Sequence, residues 1–144
     1  MEAHAGTYAL IFYCDLSQEV TVGRMGKLQL SRGYFIYVGS AFGPGGVKAR
    51  VAHHSRNSKR PHWHLDYLRP FMQLVEIWCT YDNVSREHEW ADELALLRGS
   101  KKPFPGFGAS DCECRTHLFA YGYKPAFATF RRRIYARTER RHSR

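Results

Sequence analysis

Apolar and polar positions divide the chain into short, recognisable segments. "GTYALIFYC" (6–14) is dense in β-branched and aromatic residues and predicts a strand. "VTVGRMGKLQLS" (20–31) alternates on both sides of "GRMG", which predicts a hairpin. "YFIYVG" (34–39) predicts another strand, after which "GPGG" breaks the backbone. "VKARVAHHSRN" (47–57) predicts a helix with Val47 and Val51, four apart, turned inward. "SKRPHWHLDYL" (58–68) is a loop entering a short element, and "QLVEIWCTY" (73–81) is a strand. Asp82-Asn83 and Ser85 supply turn and cap chemistry before "REHEWADELALL" (86–97), a helix with Trp90, Leu94 and Leu97 at helical spacing. "KKPFPGFGASD" (101–111) is a loop, and "CRTHLFAYGY" (114–123) is the last strand. No repeat and no linker interrupts this order. The pattern predicts one α+β domain, with a small, mostly antiparallel sheet flanked by helices.

One stretch stands out chemically. In "RGYFIYVGSAFGPGGVKAR" (32–50), strand alternation puts Tyr34, Ile36 and Val38 on one face, expected to be the buried one. Phe35, Tyr37 and Gly39 lie on the other, and Gly39 opens a turn where backbone or ligand can approach closely. The glycine-rich loop feeds a helix N-terminus, a natural anion site. Arg50 follows one turn later, and His54 four residues on along the same helical face. No Gly-Lys-Ser/Thr follows the glycines, which excludes a P-loop. Singly, each feature has an ordinary structural explanation. Together they bring a tyrosine, backbone N–H groups, an arginine and a histidine around one phosphate.

Charge adds to that picture. Twenty-two Lys and Arg against thirteen Asp and Glu leave +9, which predicts a polyanionic partner. The segment from Ala126 holds seven arginines and one glutamate, a net +6, so the remainder carries +3. This tail (126–144) is expected to be either a solvated, disordered end or an arm that grips phosphates with strong salt dependence. Candidate phosphate contacts are Lys48, Arg56, Lys59 and Arg60, with Arg131, Arg132 and Arg133 of the tail. The 144 residues are 44% hydrophobic, enough for a packed core. No apolar run is long enough to span a membrane and the N-terminus has no signal-peptide pattern, so a soluble cytoplasmic protein is expected. Four cysteines, Cys14, Cys79, Cys112 and Cys114, are too few for a disulfide framework.

Two clusters invite a metal. His62, His64 and Asp66 in "HWHLD" share one face of an extended segment. Without zinc-finger spacing, a basic loop beside nucleic acid, or His64 and Asp66 supporting an active site, is the better reading. Cys112, Cys114 and His117 in "DCECRTH" suggest zinc, but on a strand the cysteines share a face that His117 does not. Buried thiols are favoured and zinc is not expected.

"GTY" at 6–8, "YVG" at 37–39 and Arg50 on the next helix resemble the GIY-YIG nuclease superfamily. "GYFIYVGSAFGPGG", "HWHLDYL" and "GFGASDCECRTHLF" resemble its Uri-like stand-alone branch, over roughly Gly6 to Gly122. The resemblance implies a three-stranded antiparallel core with the tyrosine motifs on adjacent strands, here with an added hairpin. A nuclease domain would then cover 1–125 and the basic tail 126–144. It implies metal-dependent endonucleolytic hydrolysis of nucleic acid, DNA favoured over RNA, in repair or processing, with Mg²⁺ or Mn²⁺ as cofactor. The alternative is a non-catalytic nucleic-acid-binding module of the same fold acting with a repair partner. By position, the implied catalytic set is Tyr8, Tyr37, Arg50, His54 and Glu87, with Glu87 on the metal and Glu89 and Glu93 as alternatives. The general base stays open between Tyr8, Tyr37 and His54. Arg50 and the metal are expected to lower the Tyr8 pKa. The superfamily's late asparagine has no counterpart here, and Asp111 is a candidate to replace it.

Overall fold

The computed structural model describes residues 1–55, 64–102 and 116–142. Arg56, Lys59, Arg60, His62, Trp63, Asp111, Cys112 and Cys114 lie outside the described residues, as do the end of the predicted 47–57 helix and the start of the predicted 114–123 strand. The elements follow the order read from the pattern. Strand β1 spans Gly6–Cys14, β2 Gln18–Val22, β3 Gly26–Leu30 and β4 Gly33–Ala41. Helix α1 spans Gly46–His54 and α2 His64–Leu68. Then come β5 Gln73–Tyr81, α3 Glu87–Leu96, β6 Leu118–Tyr121 and α4 Phe127–His142. The fold is α+β, as expected.

Strands β5, β1, β4 and β6 form, in that order, an antiparallel sheet, one strand wider than the implied three-stranded core. The hairpin β2–β3 is a separate two-stranded sheet. Its turn passes through Gly23 and Gly26 at positive φ (47° and 95°), the left-handed region that glycine enters without steric cost.

The sheet is the middle of three layers. Tyr8, Leu10 and Phe12 of β1 and Phe35 and Tyr37 of β4 face a core shared with Val47 and Val51 of α1, Leu65 and Leu68 of α2, and the hairpin's Val20, Val22, Leu28 and Leu30. Ala9 and Ile11, with Ile36 and Val38, face a second core containing Trp78, Trp90, Leu94, Leu97, Phe119 and Phe130. This corrects the one-sided reading of β4. Tyr37 is buried along with Ile36 and Val38, because helices lie on both sides of the sheet, whereas Tyr34, expected inside, is only half-buried.

The arginine-rich segment is helical rather than an unstructured arm. Phe130 is 1% exposed, stacked on Trp78 at a centroid distance of 5.0 Å and edge-on to Trp90 at 5.1 Å. Glu93 of α3 accepts from Arg133 Nε at 3.0 Å and Arg137 Nη1 at 3.1 Å, and Asp92 accepts from Arg137 Nη2 at 3.1 Å. Arginines at i and i+4 on one face of α4 thus meet the carboxylates of α3, one of them buried.

Phe130→Ala removes an aromatic ring from a closed core and is expected to cost about 3–5 kcal/mol, read as a lower urea midpoint. A merely appended tail would leave the midpoint unchanged.

Candidate active site

The register of β1 on β4 starts the site. Tyr8 lies opposite Gly39, and Leu10 opposite Tyr37, so both tyrosines project from one face two residues apart. The motif glycines have steric reasons to be glycine. A Cβ on Gly39 would stand 2.5 Å from the Tyr8 hydroxyl, so the phenol can cross β4 only where that side chain is missing. A Cβ on Gly6 would overlap the carbonyl oxygen of Thr80 on β5. Between them Thr7, fully buried, accepts a hydrogen bond at 2.9 Å from the backbone N–H of Arg86 and pins the chain entering α3 to β1.

Glycines also aim α1. Gly45 and Gly46 have φ of 82° and 57°, and a Cβ on Gly46 would run into the backbone of His4. The amide of Val47 instead donates to the His4 carbonyl at 2.9 Å, so an incoming segment satisfies one of the first-turn donors. Held this way, α1 sets Val47 and Val51 into the core and turns Arg50 and His54 toward the tyrosines. Arg50 donates to the Ser40 carbonyl at 3.3 Å. His54 Nε2 lies 3.1 Å from the Tyr8 hydroxyl, and its ring is 5.9 Å from the Tyr8 ring and 5.6 Å from the Tyr37 ring, centroid to centroid.

Behind His54 stands Asp66 of α2, whose side chain is fully buried. Both of its oxygens lie 3.2 Å from His53 Nε2, and Oδ1 is 3.9 Å from His54 Nδ1. Arg69 fixes this arrangement by donating to the carbonyls of His54, Ser55 and Met72, which ties the end of α1 to the turn after α2. The guanidinium also covers the Phe12 ring at 5.2 Å.

The first turn of α3 completes the site from the far side. Asp82 accepts from the Val84 amide at 2.8 Å, and the Ser85 hydroxyl is 2.8 Å from that of Ser40 on β4. The expected cap chemistry is thus partly used to dock the helix start, since Arg86 occupies the N-cap without a side-chain cap bond. Glu87 opens the helix with its side chain 22% exposed, and its charge acts on both Tyr8 and Tyr37. Its Oε1 is 3.2 Å from Nδ1 of His117, which lies just before β6 with a side chain 3% exposed.

Burial sets the protonation states. The Tyr8 phenol is held well above its ordinary value, first by burial and then by Tyr37, and Arg50 offsets only part of this. Arg50 pulls the phenol down as expected, but desolvation outweighs the guanidinium. Tyr37 is also pushed up, by burial and then by Glu87. Burial lowers His54 to about 3 against the opposing pull of Asp66. At neutral pH Tyr8 is a neutral phenol and His54 a neutral imidazole. In that state the Tyr8 hydroxyl and His54 Nε2 share one hydrogen bond, whose direction follows the imidazole tautomer.

Tyr8, Tyr37, Arg50, His54, Glu87 and Asp66 are therefore brought together. Glu93 is not: it is bound to Arg133 and Arg137 on the opposite side of the sheet. Glu89, half-buried, lies 3.8 Å from Arg86 Nη1. His64 opens α2 two residues before Asp66. Lys48 is exposed on α1 beside Arg50, and Arg131 and Arg132 are exposed on α4, where Arg131 packs over the Tyr135 ring. Two residues at the site were not singled out for it from sequence. His53 looks like a helix-end surface histidine until α2 places Asp66 against it. In the sequence His117 stands beside the cysteines of "DCECRTH", and its alternation relative to Leu118 is the one local sign that it faces the site.

A family model described as "Domain of unknown function DUF123" matches residues 7–139, from the first tyrosine motif well into α4. No curated protein and no solved structure gives a match.

A neutral buried His54 makes stability depend on pH. Its contribution is complete above the free-imidazole value of 6.5 and is lost as pH falls toward 3, because the unfolded chain binds that proton first. The expected slope from this group is at most about 1.4 kcal/mol per pH unit. Urea midpoints measured from about pH 7 down to pH 4 check this, and His54→Asn should flatten the curve.

Proposed function

We propose that this chain, which belongs to the DUF123 family, is a metal-dependent phosphodiesterase that cuts nucleic acid, DNA before RNA. The observation that carries this reading is the convergence of two tyrosines from the central strands, a helix arginine, a histidine and a carboxylate on one face of the sheet. The resemblance to the GIY-YIG superfamily supports it, since the same residues are the ones its motifs imply.

Uncatalysed phosphodiester hydrolysis is very slow, so the site must stabilise charge developing on the phosphoryl oxygens. Arg50 is suited to this. Its guanidinium stays charged, its fork matches two phosphate oxygens, and one arm is already oriented by the Ser40 carbonyl. The Tyr8–His54 pair holds a proton between a hydroxyl and a ring nitrogen 3.1 Å apart, beside the place where the nucleophile would stand. In this reading His54 Nε2 is the proton acceptor and Tyr8 the group that orients the attacking water. Tyr37, buried next to both, fixes the ring of His54.

Glu87 fits a divalent metal by its donor type and its partial exposure. A half-open carboxylate leaves room for the waters and phosphate oxygen that Mg²⁺ or Mn²⁺ keeps in its shell. Such an ion would act as a Lewis acid on the phosphate. His117, 3.2 Å from Oε1, holds the carboxylate in place. Of the cations named from sequence, Lys48 on the α1 side of the sheet and Arg131 and Arg132 on the α4 side are exposed and suited to sequence-independent phosphate contacts. Arg133 is bound to Glu93 and contributes to folding.

Nicking of supercoiled plasmid and cleavage of single-stranded DNA, with Mg²⁺, Mn²⁺ or EDTA, test the reading. The wild type should cut with either ion and not in EDTA. Arg50→Ala, Glu87→Gln and Tyr8→Phe should each lower the rate on the order of 10²–10³-fold while remaining folded. Equal cleavage by all four proteins would sink the enzyme reading. Salt-sensitive binding with no cleavage under any ion would favour the non-catalytic module. Arg132→Ala should weaken binding alike on all sequences and reduce the salt slope by about 1.

A further inference from the structure

The geometry points to a second divalent-metal site, formed by His53, His54 and Asp66, that takes a borderline transition ion such as Zn²⁺ rather than Mg²⁺. Each residue offers one ligand atom, and these atoms lie within 4.8 Å of one another. His53 Nε2 is 3.2 Å from Asp66 Oδ1 and His54 Nδ1 is 3.9 Å from the same oxygen. An ion bonded at about 2.0–2.2 Å to tetrahedral ligands sets them roughly 3.3–3.6 Å apart. Adjustments of a few tenths of an ångström up to about 1.5 Å separate the observed positions from that spacing. Two imidazoles and one carboxylate select Zn²⁺, Co²⁺ or Ni²⁺, whereas Mg²⁺ prefers oxygen ligands and retains its waters. Three protein ligands leave a fourth position open.

The frame and the access suit an ion. The two histidines are consecutive at the end of α1, and Arg69 locks that end to the turn following α2, so the ligands are held before any ion arrives. Asp66 is fully buried at the inner end of the group and supplies its anionic ligand. His53 is 27% exposed in its side chain and borders a cleft of about 250 Å³ lined by Gly43, Pro44, Ala49 and Arg50, which gives a route from solvent. Glu87, the carboxylate assigned to the catalytic ion, is not in this group.

Occupancy has a consequence for the neighbouring phenol. An ion on His54 Nδ1 takes that nitrogen's lone pair, so the ring proton must sit on Nε2 and be donated to the Tyr8 oxygen. The hydrogen bond at 3.1 Å is then fixed in one direction, with Tyr8 as the acceptor. This last step rests on the proposed catalytic role of the pair. The metal site itself does not.

Titration of untagged full-length protein with Co²⁺, followed by visible absorption, tests the site. We expect the intense d–d band of a low-symmetry site at one equivalent, displaced by one equivalent of Zn²⁺ and untouched by excess Mg²⁺. His53→Ala and Asp66→Asn should each weaken Co²⁺ binding on the order of 100-fold, and Glu87→Gln should leave the band intact. Circular dichroism checks folding, and His53→Gln, at the half-exposed ligand, replaces any variant that fails to fold. The proposal is overturned by folded protein that shows no band. It is equally overturned by a band that survives loss of His53, or by a near-ultraviolet thiolate transition assigning the ion to cysteines. Plasmid nicking in Mg²⁺ alone reads the Glu87 site independently, so the two proposals fail separately.

Discussion

The antiparallel register of β1 on β4 is the constraint from which the site follows. With Tyr8 opposite Gly39, the phenol can lie across the neighbouring strand, reach His54 and stay beside Tyr37. Because side chains alternate with a period of two, a slip of one residue would turn Tyr8 toward the second core and put Thr7 in its place. Both faces of the sheet are buried under different layers, so such a slip would also exchange two packed sets of side chains. Fold stability and site geometry are therefore set by the same pairing. Gly39 is needed on both counts, since any side chain there displaces Tyr8 or separates the strands.

The same economy appears at α3. Its first turn carries Glu87, yet the helix is placed by groups that do no chemistry. Thr7 takes the Arg86 amide, Ser40 meets Ser85, and Trp90 and Leu94 sink into the second core. On its outer side Glu93 binds two arginines of α4, which converts part of the strong positive charge of the tail into a buried ion network. The charge count of that segment thus overstates what remains for a polyanion. Arg133 and Arg137 hold helices together, while Arg131 and Arg132 face outward.

Much of this was legible in the sequence because periodicity reports burial directly. β5 appears from Gln73 to Tyr81 as read, and Val47, Val51, Trp90, Leu94 and Leu97 are all inside. Tyr8, Tyr37, Arg50 and His54 were identifiable as one set because glycines and tyrosines recur at spacings that a two-stranded ladder and one helical turn can bring together. What periodicity could not show was two-sided burial of β4, since tyrosines suit a half-exposed face and a core equally well. Nor could it show partners far apart in sequence. Nothing local says that Asp66 turns back to His53 and His54 rather than sitting with His64, or that His117 meets Glu87. The helical state of α4 was similarly hidden, because a run of arginines looks solvated until Phe130 is found stacked on Trp78 and the carboxylates of α3 are found facing it.

Desolvation makes the resting Tyr8–His54 pair inert, and this bears on how such a site would be switched on. Burial raises the phenol and lowers the imidazole, so proton transfer from one to the other is steeply uphill in the field of the protein alone. Arg50 favours the phenolate but opposes the imidazolium, Glu87 opposes the phenolate, and Asp66 favours the imidazolium, so the fixed charges pull the pair in both directions. Any species that adds charge on one side breaks that balance. A phosphodiester at Arg50 neutralises the guanidinium that opposes the imidazolium. A cation near His54 favours the phenolate. A charge arriving on one side of the pair would therefore favour one protonation state over the other.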